Sequence, residues 1–157
     1  MSDNTAATLI PHLCCRNAAE AADFYQKAFG AEKLAIFQFP NGRVAHADLK
    51  VQGATFYLFE EMPEHGALSP LALETSPVTL YLRVADCDAV FNRAVAAGCT
   101  VQTPLQEMFW GDRYGMVTDP YGHKWEIATT TRKVASEEMK QILAAMGGCT
   151  EAATAVS

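Results

Sequence analysis

Residues Asn17–Gly30 read NAAEAADFYQKAFG and residues Asp86–Gly98 read DCDAVFNRAVAAG. Each stretch carries its own start and stop. Asn17 and Asp86 are N-cap residue types, able to accept from a free N–H of the first turn. Ala18, Ala21, Ala22, Tyr25, Ala28 and Phe29 recur at helical spacing. Gly30 and Gly98 close the two helices and lie 68 residues apart.

The segments around the helices repeat as well. Thr8–Cys15 reads as a short apolar strand before the first helix. Glu32–Phe39 follows that helix, and Pro40-Asn41-Gly42 is a hairpin signal because Asn-Gly tolerates positive φ. Val44–Val51 alternates, with Ala45, Ala47, Leu49 and Val51 on one face and Val44, His46, Asp48 and Lys50 on the other. Thr55–Glu60 completes a β-α-β-β-β order. In the second half the strands are expected at Val78–Val84, from Cys99, at Met116–Thr118 and at Lys124–Thr129, with a turn at Asp119-Pro120-Tyr121-Gly122. Gly53 and Gly122 precede the last strand of each half, 69 residues apart. At that offset Phe56 matches Trp125, Tyr57 matches Glu126 and Leu58 matches Ile127. The prediction is one α+β domain of two βαβββ modules, about 8–60 and 78–131. A polar linker or lid, 61–77, joins them, and a helix spans 136–146 with a disordered tail at 147–157.

Composition narrows the function. The 157 residues, half of them hydrophobic, suit one globular domain. Twelve Lys and Arg against eighteen Asp and Glu give a net charge of -6, with no basic cluster to neutralise phosphates, so no nucleic-acid partner is expected. No run approaches the roughly 20 apolar residues of a membrane span. The polar start lacks a signal peptide's apolar region, so a cytoplasmic location and no membrane contact are expected. The five cysteines, Cys14, Cys15, Cys87, Cys99 and Cys149, have no C-x-x-C spacing. They read as reduced thiols used as small apolar residues, or as a reactive thiol if a cation or base stands beside one.

Ala22-Asp23-Phe24-Tyr25 through Phe29-Gly30-Ala31, Asp86–Gly98 and Asp119-Pro120-Tyr121-Gly122-His123-Lys124-Trp125-Glu126 resemble the vicinal oxygen chelate superfamily. That superfamily holds glyoxalase I, bleomycin-resistance proteins and extradiol dioxygenases. Gly42–Leu49 and Phe109–Gly115 look closest to its PhnB-like branch. The resemblance covers roughly residues 8 to 146. It implies two curved mixed sheets around a cavity, and a homodimer.

Metal-dependent members place ligands on the first and last strand of each module. Carried over, those positions fall on Ile10 and Thr79, each give or take one residue, and on Tyr57 and Glu126. Only Glu126 is a strong ligand there, and a divalent ion needs several converging donors. No metal or other cofactor is therefore expected, with a divalent metal as the alternative. His12, two residues past Ile10, shares that strand face. Glu126 and His12 are the candidate catalytic residues, as general bases.

Candidate ligand-binding residues are His46, Tyr57, Trp110, Arg113 and Tyr114. Trp110 and Tyr114 offer flat apolar walls, and Arg113 a fork for a carboxylate or phosphate. The competing reading makes Trp110 plain packing and pairs Arg113 with Asp112 or the other module. His46 and Tyr57 offer polar groups on strands of the first module; a solvent face is the alternative for His46. His65 and His123 are expected in solvent or turn roles. Phosphate-binding and nucleophile-elbow motifs are absent from the sequence. Two functions remain open. One is a metal-free binding protein for an aromatic or amphipathic molecule. The other is an enzyme: a metal-dependent lyase, isomerase or dioxygenase, or a metal-free acid–base catalyst using Glu126.

Overall fold

The computed structural model describes residues 6–150, with side chains described through residue 147. Its first module runs β1 (His12–Cys15), α1 (Ala18–Phe29), β2 (Glu32–Gln38), β3 (Val44–Val51) and β4 (Ala54–Glu60). The second runs β5 (Thr79–Arg83), α3 (Cys87–Ala97), β6 (Thr100–Glu107), β7 (Asp112–Thr118) and β8 (Lys124–Thr130). The sheets have the orders β1-β4-β3-β2 and β5-β8-β7-β6. In each, the first strand pairs parallel with the last and the other pairs are antiparallel. This is the expected duplicated βαβββ architecture, with sheets that curve without closing.

The signals quoted above act as predicted. The Asn17 and Asp86 side chains accept from the N–H groups of Glu20 and Ala89. Gly30 closes α1 at φ 67°. The six apolar residues spaced along α1 are all buried. The matched pairs also behave alike: Phe56 and Trp125, then Leu58 and Ile127, face the core. Tyr57 and Glu126, one residue along from Phe56 and Trp125, face away from it by strand alternation.

Four local differences have physical causes. β1 begins only at His12, because Pro11 has no N–H to extend the ladder, although its carbonyl accepts from Tyr57. β6 runs through Pro104 to Glu107 instead of stopping before it. It is an outer strand, where proline is tolerated, and the register shifts between Thr103 and Gln106. The linker is ordered into a 3-10 turn at Pro63–His65 and a short helix, α2 (Pro70–Leu73). The last helix, α4 (Ser136–Thr150), continues through Gly147 and Gly148. Glycine there weakens a helix by only about 1 kcal/mol per residue. The expected disordered tail, past residue 150, lies outside the described residues.

One core serves both modules. Tyr25 and Phe29 of α1 meet Trp125 of β8 and Tyr121 of the preceding turn, with ring centroids 4.7 to 6.2 Å apart. At its centre the buried Asp119 carboxylate accepts from the Tyr25 hydroxyl at 2.6 Å and the Trp125 indole at 2.9 Å. Its other oxygen accepts from the N–H groups of Tyr121 and His123. Arg93 of α3 adds a second cross-tie, donating to the Lys27 and Gln26 carbonyls at the end of α1. No helix among the described residues is long and apolar enough to cross a membrane.

Candidate functional site

Each sheet buries one face against its helix and leaves the other open. Ring contacts among the described residues form three groups: the shared core and one cluster on each open face.

On the first open face, His12 of β1 stands directly opposite Tyr57 of β4, and Tyr57 opposite Asp48 of β3. The His46 ring is 4.7 Å from Tyr57 and 5.5 Å from His12, and Phe59 is 4.7 Å from His12. His46 therefore sits within an aromatic cluster and not on a bare solvent face. Partial burial, then the neighbouring His46, lowers the His12 pKa below the usual histidine value. The buried Oδ1 of Asp48 has no hydrogen-bond partner among the described residues. It is an open acceptor beside Tyr57.

On the second open face, Tyr81 of β5 stands opposite Glu126 of β8, and Met116 of β7 flanks Glu126 on the other side. Tyr114 donates to Glu126 Oε1 at 2.6 Å. Burial, then that hydrogen bond and the carboxylate's charge, raise the Tyr114 pKa, so the phenol stays protonated and donating. Trp110 crosses Tyr114 at 77° with centroids 5.4 Å apart, and Tyr81 lies at 29° to Tyr114 at 6.2 Å. Asp112 accepts from the Tyr81 hydroxyl and from Arg83 at 3.3 Å. Gly111 makes the tight turn that presents Trp110. It has φ 99°, and an added Cβ would sit 2.3 Å from the Arg132 carbonyl oxygen.

The structure thus brings His12, His46 and Tyr57 together on one face and Trp110, Tyr114 and Glu126 together on the other. Arg113 joins neither. It points to the helix side and grips Asp88 of α3 with two hydrogen bonds, at 2.7 and 2.8 Å. The reason is strand alternation: Arg113 and Tyr114 are neighbours in β7, so they face opposite ways. That signal was present in the sequence. Asp112 pairs with Arg83 and not with Arg113. Tyr81, Asp48 and Phe59 are site residues that the sequence reading missed. Their strands were legible, but their partners on neighbouring strands were not.

His123 has the expected turn role, its N–H donating to the Asp119 carboxylate, but it does not face solvent. It is buried, with Nε2 3.0 Å from the Cys14 carbonyl and 3.7 Å from Cys15 Sγ. The thiols suit packing. Burial first, then nearby carboxylates, pushes Cys14 up to about 11 and Cys99 up to about 12, and burial raises Cys15 further.

Two partly open cavities lie apart from these faces, along the seam between β1 and β5. One cavity of about 320 Å³ is bounded by His12, Leu13, Leu68, Leu73 and Leu80. A second, of about 190 Å³, is bounded by Phe56, Leu80, Tyr81 and Trp125. His12 and Tyr81 thus border both an open face and a seam cavity.

At the level of Tyr57 and Glu126, the neighbouring strands carry His12 and Tyr81, not Ile10 and Thr79. A metal at those positions would draw on one imidazole, one carboxylate and two neutral phenols. That set does not fit a divalent ion. Among the described residues, no three His, Cys, Asp or Glu side chains are grouped to hold one.

Two βαβββ modules, each a curved sheet with a helix on one side and a polar-aromatic face on the other, define the class of paired-module α+β domains. The chain belongs to the Glyoxalase/Bleomycin resistance protein/Dioxygenase superfamily, whose family model matches residues 6–127. It is 41% identical over 150 residues to the uncharacterized protein Rv0887c of Mycobacterium tuberculosis (strain ATCC 25618 / H37Rv), covering 94% of this chain and 88% of that one. Among solved structures, TioX from Micromonospora sp. ML1 is similar, with a TM-score of 0.61 and 26% identity over 80% of this chain and 99% of that one. The structure described as a putative 3-demethylubiquinone-9 3-methyltransferase, PhnB protein, from Bacillus cereus has a TM-score of 0.60 at 21% identity. It covers 78% of this chain and 99% of that one, and shares the fold.

Proposed function

We propose that this chain is a cytoplasmic, metal-free binding protein of the PhnB-like branch, holding an aromatic or amphipathic small molecule. The carrying observation is the make-up of the two open faces. Each has aromatic walls and a few placed polar groups, His46, Tyr57 and Asp48 on one and Glu126 and Tyr114 on the other. The donor set at the level of Tyr57 and Glu126 supports binding without a metal. The free, high-pKa thiols support a reducing compartment.

Both faces are open in a single chain, which supports a homodimer in which a second copy covers them. The exposed apolar side chains of Leu34, Ile36, Phe37 and Phe39 on and beside β2 support the same arrangement.

A second reading, metal-free acid–base catalysis, draws on His12. Its lowered pKa makes it a free base at neutral pH.

The test is native mass spectrometry in mild buffer, followed by thermal shift with Ni, Mn, Zn and Fe(II) and with a panel of aromatic antibiotics and small 2-oxo acids. The expected result is a metal-free dimer that no divalent ion stabilises and that an aromatic compound does. Near-stoichiometric metal, lost in Glu126→Ala, would overturn the proposal. Proton exchange on a 2-oxo acid, lost in His12→Ala, would install the second reading.

A further inference from the structure

β1 and β5 each end a sheet, so each has one edge that no strand among the described residues pairs with. In β1 that edge can be assigned residue by residue. The Pro11 carbonyl accepts from Tyr57 and the Cys15 carbonyl from Glu61. Bonding alternates along a parallel ladder, so Pro11, Leu13 and Cys15 turn their main-chain groups to β4, and His12 and Cys14 turn theirs outward. The outward Cys14 carbonyl is met by His123 Nε2 at 3.0 Å. The N–H and C=O of His12 and the N–H of Cys14 have no ladder partner among the described residues. Both residues bound the seam cavity of about 320 Å³.

Much of the remaining wall is apolar. Leu13 and Leu80 come from the two strands, and Leu68, Leu73 and Val78 from the segment that joins the modules. Those last three are 42%, 51% and 63% exposed, so apolar side chains meet water around this cavity. The joining segment is fixed in place. Pro70, at the start of α2, is buried against the turn before β8, so closely that a Cβ added to Gly122 would sit 2.8 Å from the Pro70 Cβ. The Ser69 carbonyl holds the turn of α2, accepting from the N–H groups of Ala72 and Leu73. Among the described residues, no Asp, Glu, Lys or Arg bounds the cavity. An ion of either sign would lose water there without gaining a charged partner. The volume is about twice that of a cavity that admits one benzene ring.

We propose that this seam cavity is a binding site for an uncharged, mainly apolar small molecule of about two rings' size that carries a hydroxyl group. The apolar body packs against Leu13, Leu73 and Leu80, and the hydroxyl meets the outward main-chain edge of His12 and Cys14. A hydroxyl both donates and accepts, which matches an edge that offers N–H and C=O groups together. The site is separate from the two open faces, and it does not depend on the function proposed for them.

The experiment titrates the full-length protein at neutral pH with 2-naphthol, and separately with 2-naphthoate and 2-naphthylmethylammonium, its anionic and cationic relatives. Affinity is read by calorimetry, and the site by NMR of Leu, Val and Met methyl groups. 2-Naphthol is expected to bind about tenfold or more tightly than either ion, because neither ion finds a counter-charge. The methyl signals of Leu73, Val78 and Leu80 should shift, while that of Met116, beside Glu126 on the second open face, should stay. The double variant Leu73→Ser, Val78→Ser changes two exposed positions, so far-UV dichroism should be unchanged while 2-naphthol binding weakens about tenfold. Equal binding of the three probes would overturn the proposal. So would 2-naphthol binding that shifts Met116 instead and survives the double substitution, since that places the compound on an open face. Binding of none of the three would overturn it as well.

Discussion

Asp119 is the place where one substitution tests how the two modules are held together. Its carboxylate, on the turn before β8, accepts from Tyr25 of the other module, from the Trp125 indole and from two backbone N–H groups. Tyr25 is fully buried and Trp125 nearly so. Asp119→Ala removes the acceptor and leaves both side-chain donors inside an apolar core. A buried donor without a partner costs about 1–3 kcal/mol. Two of them, with partial rescue by water at the turn, give a loss of roughly 3–5 kcal/mol. At about 2–4 °C per kcal/mol for a domain of this size, Tm should fall by roughly 6–20 °C. The assay is urea denaturation followed by dichroism and tryptophan fluorescence. Tyr25→Phe removes the donor together with the hydroxyl and should cost only about 1 kcal/mol. Combining it with Asp119→Ala should show a coupling of about 1–3 kcal/mol, because the two residues share one hydrogen bond. Additive losses, or a total below about 1 kcal/mol for Asp119→Ala, would refute the claim that this carboxylate ties the modules together.

Three further outcomes follow from the same geometry. His12 is held neutral by partial burial and by His46, so its NMR titration should have a midpoint below 6.5 that moves up in His46→Ala. Because the folded state binds the His12 proton less readily than the unfolded chain, its contribution to stability is present above the unfolded pKa. That contribution is lost as pH falls through the lowered value. In the native protein at pH 8, mass-spectrometric mapping of iodoacetamide labelling should find Cys15 and Cys99 unmodified and Cys14 slow, with all three labelled in urea; fast native labelling of Cys15 would contradict its buried, high-pKa setting. Gly111→Ala should destabilise by about 1–3 kcal/mol and displace Trp110, since it combines a left-handed φ with a contact on the Arg132 carbonyl; denaturation and the Trp110 indole signal report both effects.

The open faces were partly readable before any coordinates. His46 and Asp48 share a face because β3 alternates strictly, whereas Ile10, expected to share the His12 face, lies before the start of β1. The same rule, applied through Asp112–Thr118, separates Arg113 from Tyr114, and there the sequence reading grouped them instead. Tyr81 carried no signal of its own: a tyrosine in an apolar strand looks like any other.

The sequence by itself determined the architecture. Helix periodicity, N-caps, closing glycines and a 68–69 residue offset are local features, and local hydrogen bonding and alternation act on them directly. Only the tertiary structure decided the site. Which residue of β1 lies level with Tyr57, and which of β5 with Glu126, depends on parallel registers between strands about 45 residues apart. No local interaction fixes such a register; the packing of Leu13, Cys15 and Leu82 into the common core does, since a slip of one would turn those side chains outward. The partners of Asp112, Arg113 and Glu126 are set the same way, by which side chains the folded core brings within reach.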